Sequence, residues 1–207
     1  SGYFRVERIF PGASQDEGQR SPLAEPGVQV RAGDFILAVD GVDARTVRNF
    51  YQLLQGKGGQ KVSLRVNLRA SSEGSREVRV ETLTSEQELR YTQWVDERRA
   101  MVDRLSGGRI GYIHLPNTAV DGNRELFKGM LAYADKEALI IDDRYNGGGF
   151  IPDRMIELLA RKPLNYWKRR GLDPQATPML SHNGPKAMLI NGLSSSGGDA
   201  LPYYFRK

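Results

Sequence analysis

The sequence predicts a two-domain protein, a small α+β domain at residues 1–83 followed by an α/β domain at 84–207. Three observations carry this. Up to Glu81 the chain alternates short apolar runs with Gly, Pro and Asp turns, the pattern of paired strands. From Thr82 to Ser106 apolar and charged residues intermix at helical spacing. From Arg109 onward, apolar strands and amphipathic helices take turns, which argues for a layer of mostly parallel strands.

In the first domain, Gly2 to Phe10 has strand periodicity and is stopped by Pro11-Gly12, and the polar run Ala13 to Ser21 reads as a loop. Phe35-Ile36-Leu37-Ala38-Val39 is an apolar strand ending in Asp40-Gly41, a tight-turn signal because glycine accepts positive φ. Val47, Phe50, Leu53 and Leu54 share one helix face and predict a helix over 47–54. Lys61 to Leu68 places Val62, Leu64, Val66 and Leu68 on one side of a strand, and Glu77 to Glu81 forms the second arm of a hairpin. Thr84-Ser85-Glu86-Gln87 then offers a helix N-cap, and Gly107-Gly108 a helix stop.

In the second domain strands are predicted at Ile110 to Leu115, Ala138 to Asp142 and Ala187 to Ile190. Helices are predicted at Asn123 to Ala134, Ile151 to Arg161 and from Asp199 onward, with Lys162 to Pro185 as a long surface loop. Two of the strands run into glycine-rich turns, Tyr145-Asn146-Gly147-Gly148-Gly149-Phe150 and Ser194-Ser195-Ser196-Gly197-Gly198-Asp199. In a parallel sheet both turns fall outside the carboxyl ends of the strands, where open α/β sheets bind ligands. A serine lifted by such a turn, with loop and helix N–H groups pointing into the same space, suits acyl transfer.

Composition narrows the classes. At 39% hydrophobic and 27% charged residues, a soluble globular protein is expected, and no apolar run approaches a membrane span. With no cysteine, any nucleophile is oxygen or nitrogen, and cysteine zinc sites are excluded. The net charge of +5 comes from basic residues scattered among acidic ones, so nucleic acid is not an expected partner. Asp142 and Asp143 adjoin Arg144 and point to opposite sides of a strand; they are expected to fix the glycine loop rather than to bind a metal. No cofactor motif is present: Gly147-Gly148-Gly149 lacks both GxGxxG spacing and a Walker lysine. The chain opens on Ser1-Gly2, which reads as a fragment, and a cytoplasmic protein is expected with a periplasmic one left open.

The run from Gly2-Tyr3-Phe4-Arg5-Val6 through Leu23-Ala24-Glu25-Pro26-Gly27-Val28 to Gly33-Asp34-Phe35-Ile36-Leu37-Ala38-Val39-Asp40-Gly41 resembles the PDZ domain embedded in tricorn proteases. The resemblance implies a PDZ-like β-sandwich with a helix, and a peptide-binding loop at Gly2, Tyr3 and Phe4. Gly107 to Pro116, Asp142 to Gly149 and Ser194 to Asp199 resemble the peptidase core shared by tricorn proteases and C-terminal processing peptidases.

That second resemblance implies a C-terminally truncated α/β serine peptidase core with Ser196 as nucleophile and the N–H groups of Gly197 and Gly149 as oxyanion donors. It also implies peptide or unfolded protein substrates and a homo-oligomeric parent. In the family the base is a histidine ahead of the PDZ domain or a lysine well beyond the serine, so the base is expected outside this chain and the chain alone to be inactive. Of its two histidines, His114 reads as a core residue and His182 as a surface or site-proximal one. The rival expectation is a noncatalytic module in which the PDZ domain captures peptides.

Overall fold

The computed structural model describes residues 2–12 and 20–207; the predicted loop over 13–21 lies largely outside the described residues. The chain divides into two compact units, 1–94 and 95–207.

The first unit is built on an antiparallel sheet of β1 (Phe4–Arg5), β2 (Phe35–Val39), β4 (Lys61–Asn67) and β5 (Arg76–Glu81) in that spatial order, with β3 (Val42–Asp43) paired to β2. The alternation in β4 turns Val62, Leu64 and Val66 inward, where they meet Val6, Val30, Ile36, Val39, Leu53 and Val80. Asp40 and Gly41 both have positive φ, as the predicted tight turn between β2 and β3 requires. Asp34, next to β2, is buried, and its Oδ2 accepts from the Arg76 guanidinium at 2.7 Å and from Arg31 N–H at 3.1 Å.

Two expectations are corrected in this unit. The strand predicted over Gly2 to Phe10 is regular only at Phe4–Arg5, because pairing with β2 covers only Phe4 to Ile36 and Arg5 to Phe35. The predicted helix at 47–54 is a short 3-10 segment, Phe50–Leu54, capped by the Asn49 side chain on Tyr51 N–H. Val47 stays extended, so a single turn buries Leu53.

In the second unit β6 (Ile110–His114), β7 (Ala138–Asp142) and β10 (Lys186–Leu189) form a parallel sheet in the order β10-β7-β6. Helices α2 (Val120–Ala132), α3 (Pro152–Ala160) and α4 (Gly197–Arg206) contribute Leu126, Met130, Met155, Leu158, Leu159 and Leu201 to a core shared with Ile113, Leu139 and Ile141. Helix α1 (Gln87–Ser106) is the predicted helical stretch, and its first turn takes a hydrogen bond at Ser85 Oγ from Gln87 N–H. The segment read as a structureless loop over 162–185 contains a two-stranded hairpin, β8 (Asn165–Trp167) with β9 (Gln175–Thr177). Its strands are three residues long and largely exposed, too short and too polar to show a hydrophobic alternation. No helix among the described residues is long and apolar enough to cross a membrane.

Candidate active site

Parallel pairing sets the register of the site. Leu189 of β10 lies beside Asp142 of β7, and Asp142 beside His114 of β6, so three strands end at one edge of the sheet. The segments that follow are the loop Pro116-Asn117-Thr118, the glycine loop Asp143 to Phe150, and the serine turn Asn191 to Ser196. They are tied together there: Ser195 N–H donates to Asn146 O at 3.1 Å, Ser194 Oγ to Asp143 O at 2.7 Å, and Tyr145 N–H to Asn191 Oδ1 at 3.1 Å.

Ser196 sits at the junction of the serine turn and α4, with φ 54° and ψ −120°. A non-glycine residue adopts this conformation only where the surroundings over-determine it, as in the strand-to-helix elbow that presents a nucleophile above a sheet. The residue is exposed, and its hydroxyl makes no hydrogen bond to the described residues. Ser194, by contrast, is spent on Asp143 O.

Gly197 opens α4 and packs against the glycine loop: a Cβ placed on it would overlap Gly149 O and Thr118 Oγ1. A Cβ on Gly148 would come within 2.8 Å of Ser195 O and 2.9 Å of Ser196 Cβ. Ser196, Gly197 and the Gly148-Gly149 bend are therefore in mutual contact. Gly198 and Asp199 N–H close onto Ser195 and Ser196 carbonyls, and Gly148 N–H donates to Asn146 Oδ1 at 2.8 Å. Among the described residues the N–H groups of Gly149 and Gly197 find no acceptor. Two uncommitted amides beside an exposed serine are what a developing oxyanion requires.

Thr118 was not apparent from sequence. It is fully buried, and it holds the bend through its N–H to Gly148 O (2.9 Å) and its Oγ1 to Gly149 O (3.1 Å), while its own carbonyl accepts from Ile151 N–H (3.0 Å). The available signal was positional, a hydroxyl three residues past the end of a strand at the sheet edge that carries the other two loops.

The adjacent aspartates part company as the strand geometry predicts. Asp142 accepts Tyr112 Oη at 2.6 Å and is clamped by Arg144 through Nε at 2.8 Å and a second guanidinium nitrogen at 2.5 Å. Burial pushes its carboxyl upward, but the hydrogen bonds from Arg144 and Tyr112 outweigh this and leave it below the usual carboxylate value. Asp143 has no such cation. Burial, helped by the Asp142 and Asp199 carboxylates and opposed by a hydrogen bond from Asn146, pushes it up to about 7.

A carboxyl that holds its proton more tightly folded than unfolded makes stability fall with pH. The unfolded chain releases that proton near pH 4 and the folded protein near 7, so the Asp143 contribution declines as pH rises through this window. Thermal melts at pH 5 and pH 8 are expected to show a decline in the wild type that is reduced in Asp143→Asn, the difference amounting to about 3 kcal/mol at most. Parallel declines in the two proteins would show that Asp143 does not titrate in this range.

Both histidines are buried. His182 is buried, with Nδ1 accepting from Gly184 N–H at 3.2 Å and Nε2–H donating to Lys136 O at 2.8 Å, so both ring nitrogens are committed. His114 lies on the face of β6 shared with Tyr112 and opposite Ile113, and burial lowers its pKa. In the first unit, Arg45 lies over the Tyr3 ring at 4.8 Å and its stem lies against Gly2. Phe4 meets Phe50 edge-to-face at 5.6 Å. It also borders a groove of about 950 Å³, together with Ile36, Tyr51, Leu54 and Leu64.

An elbow serine beside free glycine amides on a parallel sheet, following a small antiparallel domain, defines the PDZ-plus-serine-peptidase class. Residues 1–85 match the tricorn protease PDZ domain, and residues 109–207 match peptidase family S41. The chain belongs to the tricorn protease family.

It is 39% identical over 203 residues to tricorn protease homolog 1 of Streptomyces coelicolor, covering 97% of this chain and 19% of that relative. It is 31% identical over 206 residues to the tricorn protease of Thermoplasma volcanium, covering 100% of this chain and 20% of that relative. A crystal structure of the tricorn protease superposes with a TM-score of 0.85 at 29% identity, over 99% of this chain and 20% of that one. The chain thus spans about a fifth of the length of these relatives.

Proposed function

We propose that this chain is the PDZ and partial peptidase-core segment of a serine endopeptidase that hydrolyses peptides or unfolded polypeptide segments. The observation that carries the reading is Ser196, exposed on a positive-φ elbow in contact with the glycine bend. Ser196 Oγ attacks the scissile carbonyl carbon, its proton passing to a general base, and the carbonyl oxygen becomes an oxyanion between Gly149 and Gly197 N–H. The base returns its proton to the departing nitrogen as the intermediate collapses, which expels the amine and leaves an acyl-serine. Water, deprotonated by the same base, then hydrolyses it and the proton goes back to Ser196 Oγ.

His182 spends both ring nitrogens on Gly184 N–H and on Lys136 O just before β7, at the opposite end of that strand from the serine turn, and His114 is buried on β6. In this reading the base is supplied from outside these 207 residues and the chain alone is inactive. Residues 1–83 act as a PDZ-like β-sandwich that recruits or gates substrate, with Gly2, Tyr3 and Phe4 at its peptide-binding loop, and residues 84–207 act as the partial peptidase core. The open outer edge of β1 and the groove beside Phe4 support peptide docking by strand addition. By the same family likeness we read the intact protein as a homo-oligomer in the cytoplasm, with the periplasm as the alternative.

The test is a serine-reactive phosphonate probe on the full-length protein, run beside a peptide-binding titration. Labelling that maps to Ser196 supports the peptidase. Tight peptide capture with no labelling supports a noncatalytic binding module instead.

A further inference from the structure

Asn146 is fully buried and uses every polar group it owns. Its Nδ2 donates to Leu115 O at 3.2 Å and to Asp143 Oδ1 at 2.8 Å, and its Oδ1 accepts Gly148 N–H at 2.8 Å. Its backbone carbonyl accepts Ser195 N–H. One residue thereby joins the end of β6, the loop after β7 and the serine turn before α4. Gly198 backs onto it so closely that a Cβ there would lie 2.8 Å from Oδ1.

The orientation of this amide is forced. Leu115 O and Asp143 Oδ1 are both acceptors, so they face the NH₂ and leave the carbonyl oxygen for Gly148. Gly148 N–H is consequently turned inward and used up, and the next amide, Gly149 N–H, is the one left without an acceptor. A shorter side chain would leave Gly148 N–H, Leu115 O and Asp143 Oδ1 facing one another across a buried gap.

We propose that Asn146 is the positioning residue that decides which glycine amide the bend offers to Ser196, and that Asp143 holds Asn146 in the orientation that does so. The catalytic consequence rests on the peptidase reading; the clamp itself does not.

The charged and titratable groups around it are Asp142 and Arg144 on its own segment, Asp199 on α4, and Tyr112 and His114 on β6. Among the described residues no cation contacts Asp143, so an added carboxylate at position 146 is tolerated only while a proton is shared with Asp143.

Two variants of the full-length protein test the proposal, with amide hydrogen exchange at Gly148 read as protection factors and steady-state peptide hydrolysis read as kcat and KM. In Asn146→Ala, Gly148 protection is expected to fall at least about tenfold at both pH 5 and pH 8. Its kcat is expected to fall about 100-fold with KM within about threefold of wild type. In Asn146→Asp, a protonated carboxyl still donates to Asp143 and accepts from Gly148, so protection is expected near wild type at pH 5 and lost at pH 8.

Unchanged Gly148 protection in Asn146→Ala, or a raised KM with kcat intact, would overturn the proposal. If Asn146→Ala does not fold, the pH dependence of protection in Asn146→Asp decides, and protection equal at both pH values counts against the clamp. A wild-type protein that neither hydrolyses peptide nor labels at Ser196 refutes the peptidase reading alone, while the exchange data still decide the role of Asn146.

Discussion

Replacing Ser196 by alanine in the full-length protein is expected to lower peptide hydrolysis by roughly 10⁴- to 10⁶-fold while leaving the fold intact. The size follows from the role, because no neighbouring oxygen can take over the attack. Ser194 Oγ is bound to Asp143 O, and Ser195 lies one residue before the elbow with its N–H fixed to Asn146. The fold should survive because the serine hydroxyl makes no hydrogen bond to the described residues, and removing it leaves no buried partner unsatisfied. Alanine can retain the elbow at a conformational cost close to that of serine, so Tm is expected within about 2 °C of wild type. Steady-state hydrolysis and a thermal melt of the same preparation check both halves. Undiminished turnover would remove Ser196 from the mechanism.

The second large effect is expected at Gly149. Its φ of +144° is one that side-chain-bearing residues rarely adopt, and a Cβ there would overlap the Thr118 carbonyl and stand 2.7 Å from Ala119 N. Backbone cannot yield as a flexible side chain would. In Gly149→Ala the bend must swing away from Thr118, moving the N–H that we propose as an oxyanion donor. Loss of one oxyanion donor alone costs about 10²- to 10³-fold in kcat. The strain adds roughly 1–3 kcal/mol of lost stability. The expected signature is a kcat collapse with phosphonate labelling of Ser196 slowed in parallel. A Gly149→Ala protein with wild-type kcat would mean that the oxyanion is held elsewhere.

Both expectations start from positions picked out in sequence, yet they depend on partners that were not. The strand-turn-helix rhythm of residues 109–207 and the two glycine-rich turns were legible because apolar runs and Ser/Gly clusters are local signals. Thr118 and Asn146 were not legible as parts of the site. Each acts through backbone groups about 30 residues away, Thr118 through Gly148 and Gly149 and Asn146 through Leu115, and a hydrogen bond to a distant carbonyl leaves no mark on local composition. The overcalled helix at 47–54 has the same origin. A helical spacing of Val47, Phe50, Leu53 and Leu54 is satisfied equally by one 3-10 turn against the sheet, and packing chose the shorter form. The hairpin of β8 and β9 escaped for the opposite reason, since exposed three-residue strands carry no periodicity to read.

By itself the sequence determined the order of the three parallel strands and their helices in residues 109–207, the absence of thiol chemistry, and the place of a serine and three glycines at the ends of apolar runs. These are properties of side-chain type and spacing, written residue by residue. The tertiary structure alone decided that Ser196 takes a strained elbow, that Gly149 and Gly197 keep their N–H groups uncommitted, and that His182 spends both ring nitrogens on Lys136 O and Gly184 N–H. Those outcomes depend on which backbone groups meet across the edge of a parallel sheet, and that is settled by strand order and register rather than by any one segment of chain.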